Sequence, residues 1–322
     1  MRYLILLLIC SITVSCSRST YSDSSEITPL KPRVAGLYPK EFAKQRLQFD
    51  AACVLLRSMP DSVKPYTMLA SVYMSEARVT GDHPYYYPAA LRSIEAGLDR
   101  NPQSNELRMQ KASVLLSLHR FEEARVLAVE LCTQMPRVAT VYGMACDANL
   151  ELGRMDEAVQ AATAMMNLRP GIESYSRVSY LRERHGDLEG ALSAMKMAVQ
   201  SGLPGTEDAA WARVTYGNLL VKAGNIQEAE RQFTLARMER EDYAFAIAGL
   251  ARIKHLHKDD DVALAMLDSA IQRVPEISFV ELSLEIERKR KNAARVVALE
   301  RLIDQMTRED RAAGMLAEVG AQ

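Results

Sequence analysis

The sequence predicts an all-α fold in which antiparallel helix pairs stack into a solenoid. Two spacings and one missing pattern predict it. The prolines Pro102, Pro136, Pro170 and Pro204 recur every 34 residues. The alanines Ala90, Ala124, Ala158, Ala191, Ala229 and Ala263 follow with intervals of 34, 34, 33, 38 and 34 residues. No stretch alternates apolar and polar residues as a half-buried strand would. Self-similarity at this period is the mark of a helix-pair repeat that buries its apolar face only by stacking on its neighbours.

One unit can be read between Ala139 and Pro170. Its first helix, helix A, carries Tyr142, Ala145 and Cys146 and ends at Gly153, which enters the left-handed region without a Cβ penalty. Helix B opens on Asp156, an acid at the positive end of the helix dipole. It then places Ala158, Ala162 and Met165 on one face until Pro170 stops it. Ala158 falls where the two helices cross, and a larger side chain there costs about 1 to 3 kcal/mol by overpacking.

From roughly Val63 to Pro275 the chain resembles the tetratricopeptide repeat (TPR) family. Tyr66, Leu69, Ala70 and Tyr73 match its helix A pattern of aromatic, large, small and aromatic residues. Looser versions follow in Tyr142, Ala145 and Cys146, in Tyr175, Val178 and Ser179, and in Tyr216 and Gly217. The turn and the small helix B residue recur as Gly153 to Ala158, Gly186 to Ala191 and Gly224 to Ala229, and Phe233 and Ala236 match later helix B positions. The second unit departs from the pattern with Arg108 and Lys111 at positions that are normally apolar, and the fifth ends at Glu241 without a proline. The resemblance implies a right-handed superhelix with a concave inner face. Being built of nearest-neighbour units, it counts as one domain.

In chain order, residues 1–15 read as a targeting segment, with Arg2 before the apolar run Leu4 to Ile9. Thr13, Val14, Ser15 and Cys16 resemble a bacterial lipoprotein signal, in which the cysteine is acylated and becomes the first mature residue. Thr13 departs from the usual aliphatic residue, and an ordinary secretory signal is the alternative. Residues 16–37, rich in serine and threonine with Pro29 and Pro32, read as a flexible tether. Residues 38–61 form a leading cap helix, with Phe42, Leu47, Phe49, Ala52, Leu55 and Leu56 available to face inward and Pro60 as its stop.

Residues 62–276 hold six units. The first has helix A from about Ser62 to Arg78, and its helix B is expected at Pro88, which suits a first helical turn. That leaves Val79 to Tyr87 as an extra loop. Its run Tyr85, Tyr86 and Tyr87 has two readings, pins against neighbouring helices or contacts for a partner. Before the fifth unit, Thr206 and Asp208 are candidate caps for the helix that carries the chain's single tryptophan, Trp211. Trp211 either packs between units or faces inward as a contact residue. Residues 277–322 read as a degraded repeat with a closing helix, and the charges from Glu285 to Lys291 as its solvated face.

The pattern offers little chemistry. Cys10 leaves with the signal and Cys16 takes the lipid, so Cys53, Cys132 and Cys146 remain, an odd number without metal-ligand spacing. They read first as small buried residues, with a Cys132–Cys146 disulfide as the second reading. His255 and His257 fall on different faces of a helix. His83, His119 and His185 sit in or near turns and read as surface residues. No phosphate-cradling loop, nucleophile elbow or zinc-protease motif occurs. The expectation is therefore no enzyme activity, no cofactor and no metal. With 40 basic and 41 acidic residues the formal charge is −1. Removing Arg2 with the signal leaves 39 − 41 = −2, which lacks the basic bias of a nucleic-acid binder.

In the family the unpacked helix A residues line the concave side. Projected onto this chain, that rule selects Gln110, Ser113, Asp147, Arg177, Tyr180, Asn218, Arg252 and His255 as a candidate protein-binding face, mixed in sign. It lacks the lysine and asparagine set with which some members clamp the terminal carboxylate of chaperones. The chain resembles the TPR lipoproteins that serve envelope assembly, secretin or pilus biogenesis, or that act as adaptors for hydrolases. The resemblance implies a scaffold anchored at Cys16 that binds a protein partner in its groove, with the membrane contacted through the lipid alone. Ser17 after the cysteine points to the outer membrane, facing the periplasm. A glycan-binding or glycan-processing protein, marked by an exposed aromatic beside paired carboxylates, is one alternative, and a spacer without a specific ligand is the other.

Overall fold

A computed structural model describes residues 27–34 and 37–314. Among them it holds fifteen α-helices and no strand. A leading helix, α1 (Pro39–Ser58), is followed by six antiparallel pairs: α2 (Lys64–Thr80) with α3 (His83–Arg100), α4 (Asn105–Ser117) with α5 (Phe121–Gln134), α6 (Ala139–Glu151) with α7 (Met155–Leu168), α8 (Ile172–Arg184) with α9 (Leu188–Gln200), α10 (Glu207–Lys222) with α11 (Ile226–Glu239), and α12 (Ala244–Leu256) with α13 (Asp260–Arg273). A last pair, α14 (Ile277–Lys289) and α15 (Ala293–Ala312), closes the array. The residues beyond Gly314, the end of the stretch 277–322 read as a degraded repeat with a closing helix, lie outside the described residues.

The small-residue interval marks the helix crossings. Ala90, Ala124, Ala158, Ala191, Ala229 and Ala263 are each 0% exposed. Where a unit departs from the rule, a neighbour compensates. Phe233 of α11 is fully buried between α10 and α12, and it fits because both present glycine: a Cβ on Gly217 or Gly249 would stand 2.5 Å from its ring.

The turn inside each pair after the first is also repeated. Gly153 lies at φ 73°, its amide donates to the Leu150 carbonyl and the Arg154 amide to the Asn149 carbonyl, a pairing that satisfies the last carbonyls of helix A. The same two bonds close the turns at Gly186 and Gly224, and also at His119, Lys258 and Lys291, where a side chain occupies the left-handed region. Those three residues carry a strain of about 1 to 2 kcal/mol each, tolerated because the stacked helices on both sides dictate the path.

Arg108, out of place in the repeat pattern, is buried yet satisfied, donating to Gln134 and Glu130 of α5 at 2.6 Å each. Thr206, rather than Asp208, caps α10 by accepting from the Ala209 amide. Cys53, Cys132 and Cys146 are free thiols, so the Cys132–Cys146 pairing does not form. Burial pushes Cys132 up to about 11 and Cys146 up to about 12.

The first unit differs from the reading of the sequence. Helix α3 begins at His83, so there is no loop from Val79 to Tyr87, and Pro88 stands inside the helix. Burial of the tyrosines offsets the hydrogen bond that Pro88 removes. Tyr86 and Tyr87 are core residues, and Tyr85 meets Tyr86 edge-on with centroids 4.9 Å apart. Tyr85 and Tyr86 act as pins, and what they pin is the chain before α1. Tyr85 donates to the Pro29 carbonyl, Tyr86 accepts from the Lys31 amide, and Tyr73 donates to the Thr28 carbonyl. Residues 27–34 are thus a packed strap, and the expected tether over 16–37 does not extend through them. His83, expected at the surface, is half-buried, and that burial lowers its pKa. In α1, Leu47 is 71% exposed and faces away from the core, which takes Ala52, Cys53 and Leu56 instead. Glu287, expected on a solvated face, is buried.

The strap is locked by an ion pair with almost no solvent. Arg33 donates to both oxygens of Glu76 at 2.9 and 2.6 Å, and their side chains are 2% and 0% exposed. The same guanidinium reaches Glu41 of α1, and Glu41 reaches Arg240 between α11 and α12 at 3.4 Å. The superhelix has therefore come round on itself. Arg240 stacks on Tyr38, a Cβ on Gly81 would meet Val274 at 2.7 Å, and α15 touches α3. Because removing one partner strands the other charge in the interior, Glu76→Gln is expected to lower unfolding stability by about 3 to 5 kcal/mol. Arg33→Met with Glu76→Leu should recover most of that loss in urea titrations, and equal losses in the single and double variants would contradict the account.

Candidate functional site

Successive helix A elements turn the same face inward, and the closed superhelix wraps them around a groove of about 660 Å³. Its walls come chiefly from α2, α4, α6, α8 and α10. The α2 and α4 side carries short hydroxyl residues, Ser71 and Ser75 on one helix and Ser113 and Ser117 on the next. Each pair is spaced i, i+4 and so shares one face. The opposite side, from α8 and α10, carries Ile172, Glu173, Glu207, Asp208 and Trp211.

Asp147 and Arg177 cross the floor. Arg177 donates to the two oxygens of Asp147 at 2.8 and 2.6 Å, and also to the Gly143 and Glu173 carbonyls. Enclosure in the groove pushes the Asp147 carboxyl above the usual range, against the pull of Arg177. Burial opposes the Arg177 cation too, but Asp147 more than restores it and its pKa rises. Glu207 accepts from the Tyr243 hydroxyl at 3.1 Å, and its burial outweighs the nearby Arg78 to raise its pKa.

Of the residues selected from the sequence, Gln110, Ser113, Asp147 and Arg177 meet in this groove. Gln110 is held there by donating to the Thr67 carbonyl and to Ser71. Tyr180, Asn218, Arg252 and His255 do not line it. Tyr180 points to Glu151, and His255 Nδ1 lies 2.6 Å from Asp260 with Lys289 against its other nitrogen. Tyr180 and Asn218 sit farther along α8 and α10 than the groove reaches, and Arg252 and His255 belong to α12, which supplies none of its lining. Trp211 resolves in favour of the inner face, 41% exposed at the groove wall. Glu173, Glu207, Asp208 and Arg78 were missed. The i, i+4 spacing of Glu173 and Arg177 on one helix face was the signal for the first, while only the closure of the ring sets Arg78 near Glu207.

Other concavities lie outside the groove, and two of them are the larger. One of about 400 Å³ runs along the seam between the strap, the α2–α3 turn and α13 to α15. The other lies on the outer face beside Lys111, Glu123 and Val126. Among the described residues no group of three or more His, Cys, Asp or Glu side chains is placed to hold a metal, and no helix is long and apolar enough to cross a membrane.

No protein-family model and no curated protein sequence matches the chain. Solved structures do. It superposes on a chain of the APC/C hetero-tetramer Cut9–Hcn1 with a TM-score of 0.62 at 13% identity, covering 80% of this chain and 49% of that one. It superposes on human IFIT1, solved as a dimer with PPP-AAAA, with a TM-score of 0.60 at 14% identity, over 81% and 68% of the two chains. A TPR protein from Parabacteroides merdae gives 0.51 at 14% identity, over 78% and 99%. The chain thus spans about half the length of the Cut9–Hcn1 chain it matches. At these identities the likeness establishes the fold, a TPR solenoid.

The floor pair yields a prediction. Arg177→Met and Asp147→Leu should each lower stability by about 1 to 2 kcal/mol, discounted for their partial exposure, and the double variant by less than the sum. Thermal melts of the three proteins measure this, and strict additivity would show that the two charges do not depend on each other.

Proposed function

We propose that this chain is a lipid-anchored scaffold of a bacterial cell envelope, held at Cys16 on the outer membrane facing the periplasm, that binds a protein partner in its concave groove. One observation carries the groove reading. A single trough runs across five helix A elements, with an exposed tryptophan on one wall and small hydroxyl residues on the other. An aromatic with a polar edge suits a contact residue, and small side chains let a bound backbone come close. The groove's bases lie beside its acids, Arg177 paired with Asp147 and Arg78 near Glu207. Such an arrangement supports binding rather than proton transfer.

The anchor reading is supported by the sequence around Cys16, which lies outside the described residues. From Cys16 to Ile27 there are 27 − 16 = 11 residue steps, a reach of at most about 38 Å. Since the strap is packed from Ile27 onward, an acylated Cys16 would keep the first unit close to the bilayer. In cell fractionation, Cys16→Ala is expected to move the protein from the membrane to the soluble fraction, and unchanged fractionation rejects the anchor. A photocrosslinking residue at Ser113 should trap a protein partner in intact cells, whereas one at Val126 on the outer face should not. Equal trapping at both positions counts against the groove.

One observation favours a second reading. Trp211 stands beside Glu207 and Asp208 in the groove, the aromatic-with-carboxylates arrangement expected of a glycan site, and the largely buried Tyr87 lines the same groove while Tyr86 does not.

A further inference from the structure

We infer that the groove selects an extended peptide in which a lysine or arginine stands next to an apolar or aromatic residue. Trp211 receives the apolar side chain, and Glu173 and Asp208 receive the cation. This rests on the reading of the groove as a peptide site.

The charges lining the groove are Arg78 and Arg177 against Asp147, Glu173, Glu207 and Asp208, or 2 − 4 = −2. They are not equally available to a ligand. Arg177 places its donors on Asp147 and on two backbone carbonyls. Glu207 takes the Tyr243 hydroxyl and sits in the field of Arg78. Glu173 and Asp208 remain, exposed and with no side-chain partner among the described residues. They stand on the first turns of α8 and α10, consecutive helix A elements, on the wall that carries Trp211. An incoming acidic residue would meet two unpaired carboxylates, and the groove's exposed cation, Arg78, already sits in the field of Glu207. A basic residue meets those carboxylates and a ring face that also attracts cations. Opposite, the Ser113 hydroxyl can accept from or donate to a peptide backbone without taking up the room a long side chain would need, whereas Ser117 already donates to the Ser113 carbonyl.

Trp211 is the only tryptophan of the chain, so red-edge excitation reports on this wall alone. The test titrates the full chain with two blocked octapeptides that differ only in a central Lys-Phe-Lys or Glu-Phe-Glu, and with chitotetraose. The lysine peptide should shift the Trp211 emission and bind about tenfold more tightly than the glutamate peptide at low salt. That preference should fall to about twofold or less when Glu173→Gln and Asp208→Asn are combined. Both positions are exposed, so the variant should keep its melting temperature, and calorimetry with Trp211→Phe should show weakened binding of the lysine peptide. Equal binding of the two peptides, or preference for the glutamate peptide, overturns the selectivity while leaving a peptide groove. A response to chitotetraose with none to either peptide overturns both the selectivity and the protein-binding reading beneath it.

Discussion

Everything in this molecule depends on two helices being able to approach until one backbone nearly touches the other. A fully buried alanine at each of six crossings permits that approach. It forces the longer side chains of each pair to find their space between pairs, against the next unit. The resulting core is a string of adjoining clusters, and no cluster is buried by one unit alone. The alanine at the crossing tolerates no enlargement, whereas the glycines facing Phe233 show that a large residue is accepted where two neighbours are reduced together.

A stack of identical interfaces leaves two unfinished ends. At the N-terminal end the finish is elaborate. Helix α1 covers part of α2, and the strap covers the rest with tyrosine hydroxyls and the buried Arg33–Glu76 pair. A buried ion pair is weak evidence for stability but fixes geometry, because only one register of the strap brings both charges together. The chain from Arg33 through Glu41 to Arg240 then ties that end to the start of the sixth unit. The solenoid is consequently a closed turn in which the first and last pairs share a seam.

Closure also makes the groove what it is. In an open array, the helix A faces would form a shallow ramp along which all six units were equivalent. Here α2 and α10 face each other across the trough, so that one wall is hydroxyl-bearing and the other aromatic and acidic. This asymmetry gives the groove a direction, and a ligand with an apolar and a charged feature would lie in it one way round.

The paired-helix architecture, the glycine turns and the burial of the spaced alanines were legible in the residues, as were the groove positions of Gln110, Ser113, Asp147 and Arg177. All of these are set within one unit or between one unit and the next, within the reach of a sequence window. The sequence placed Tyr180, Asn218, Arg252 and His255 on the same face, and there the projection ran past the end of the groove. It read the tyrosine run as a loop, and the end of the strap as tether, because Tyr85 to Tyr87 and Thr28 to Arg33 meet only after folding brings together positions some 50 residues apart. Nothing near Glu76 in the sequence marks it as buried, because its partner Arg33 lies 43 residues away. By itself the sequence determined the repeated unit, since nearest-neighbour packing is local. Only the tertiary structure decided the closure of the ring, the locked strap and the two unlike walls, since these arise from rotation accumulated over six units, a quantity that no single unit carries.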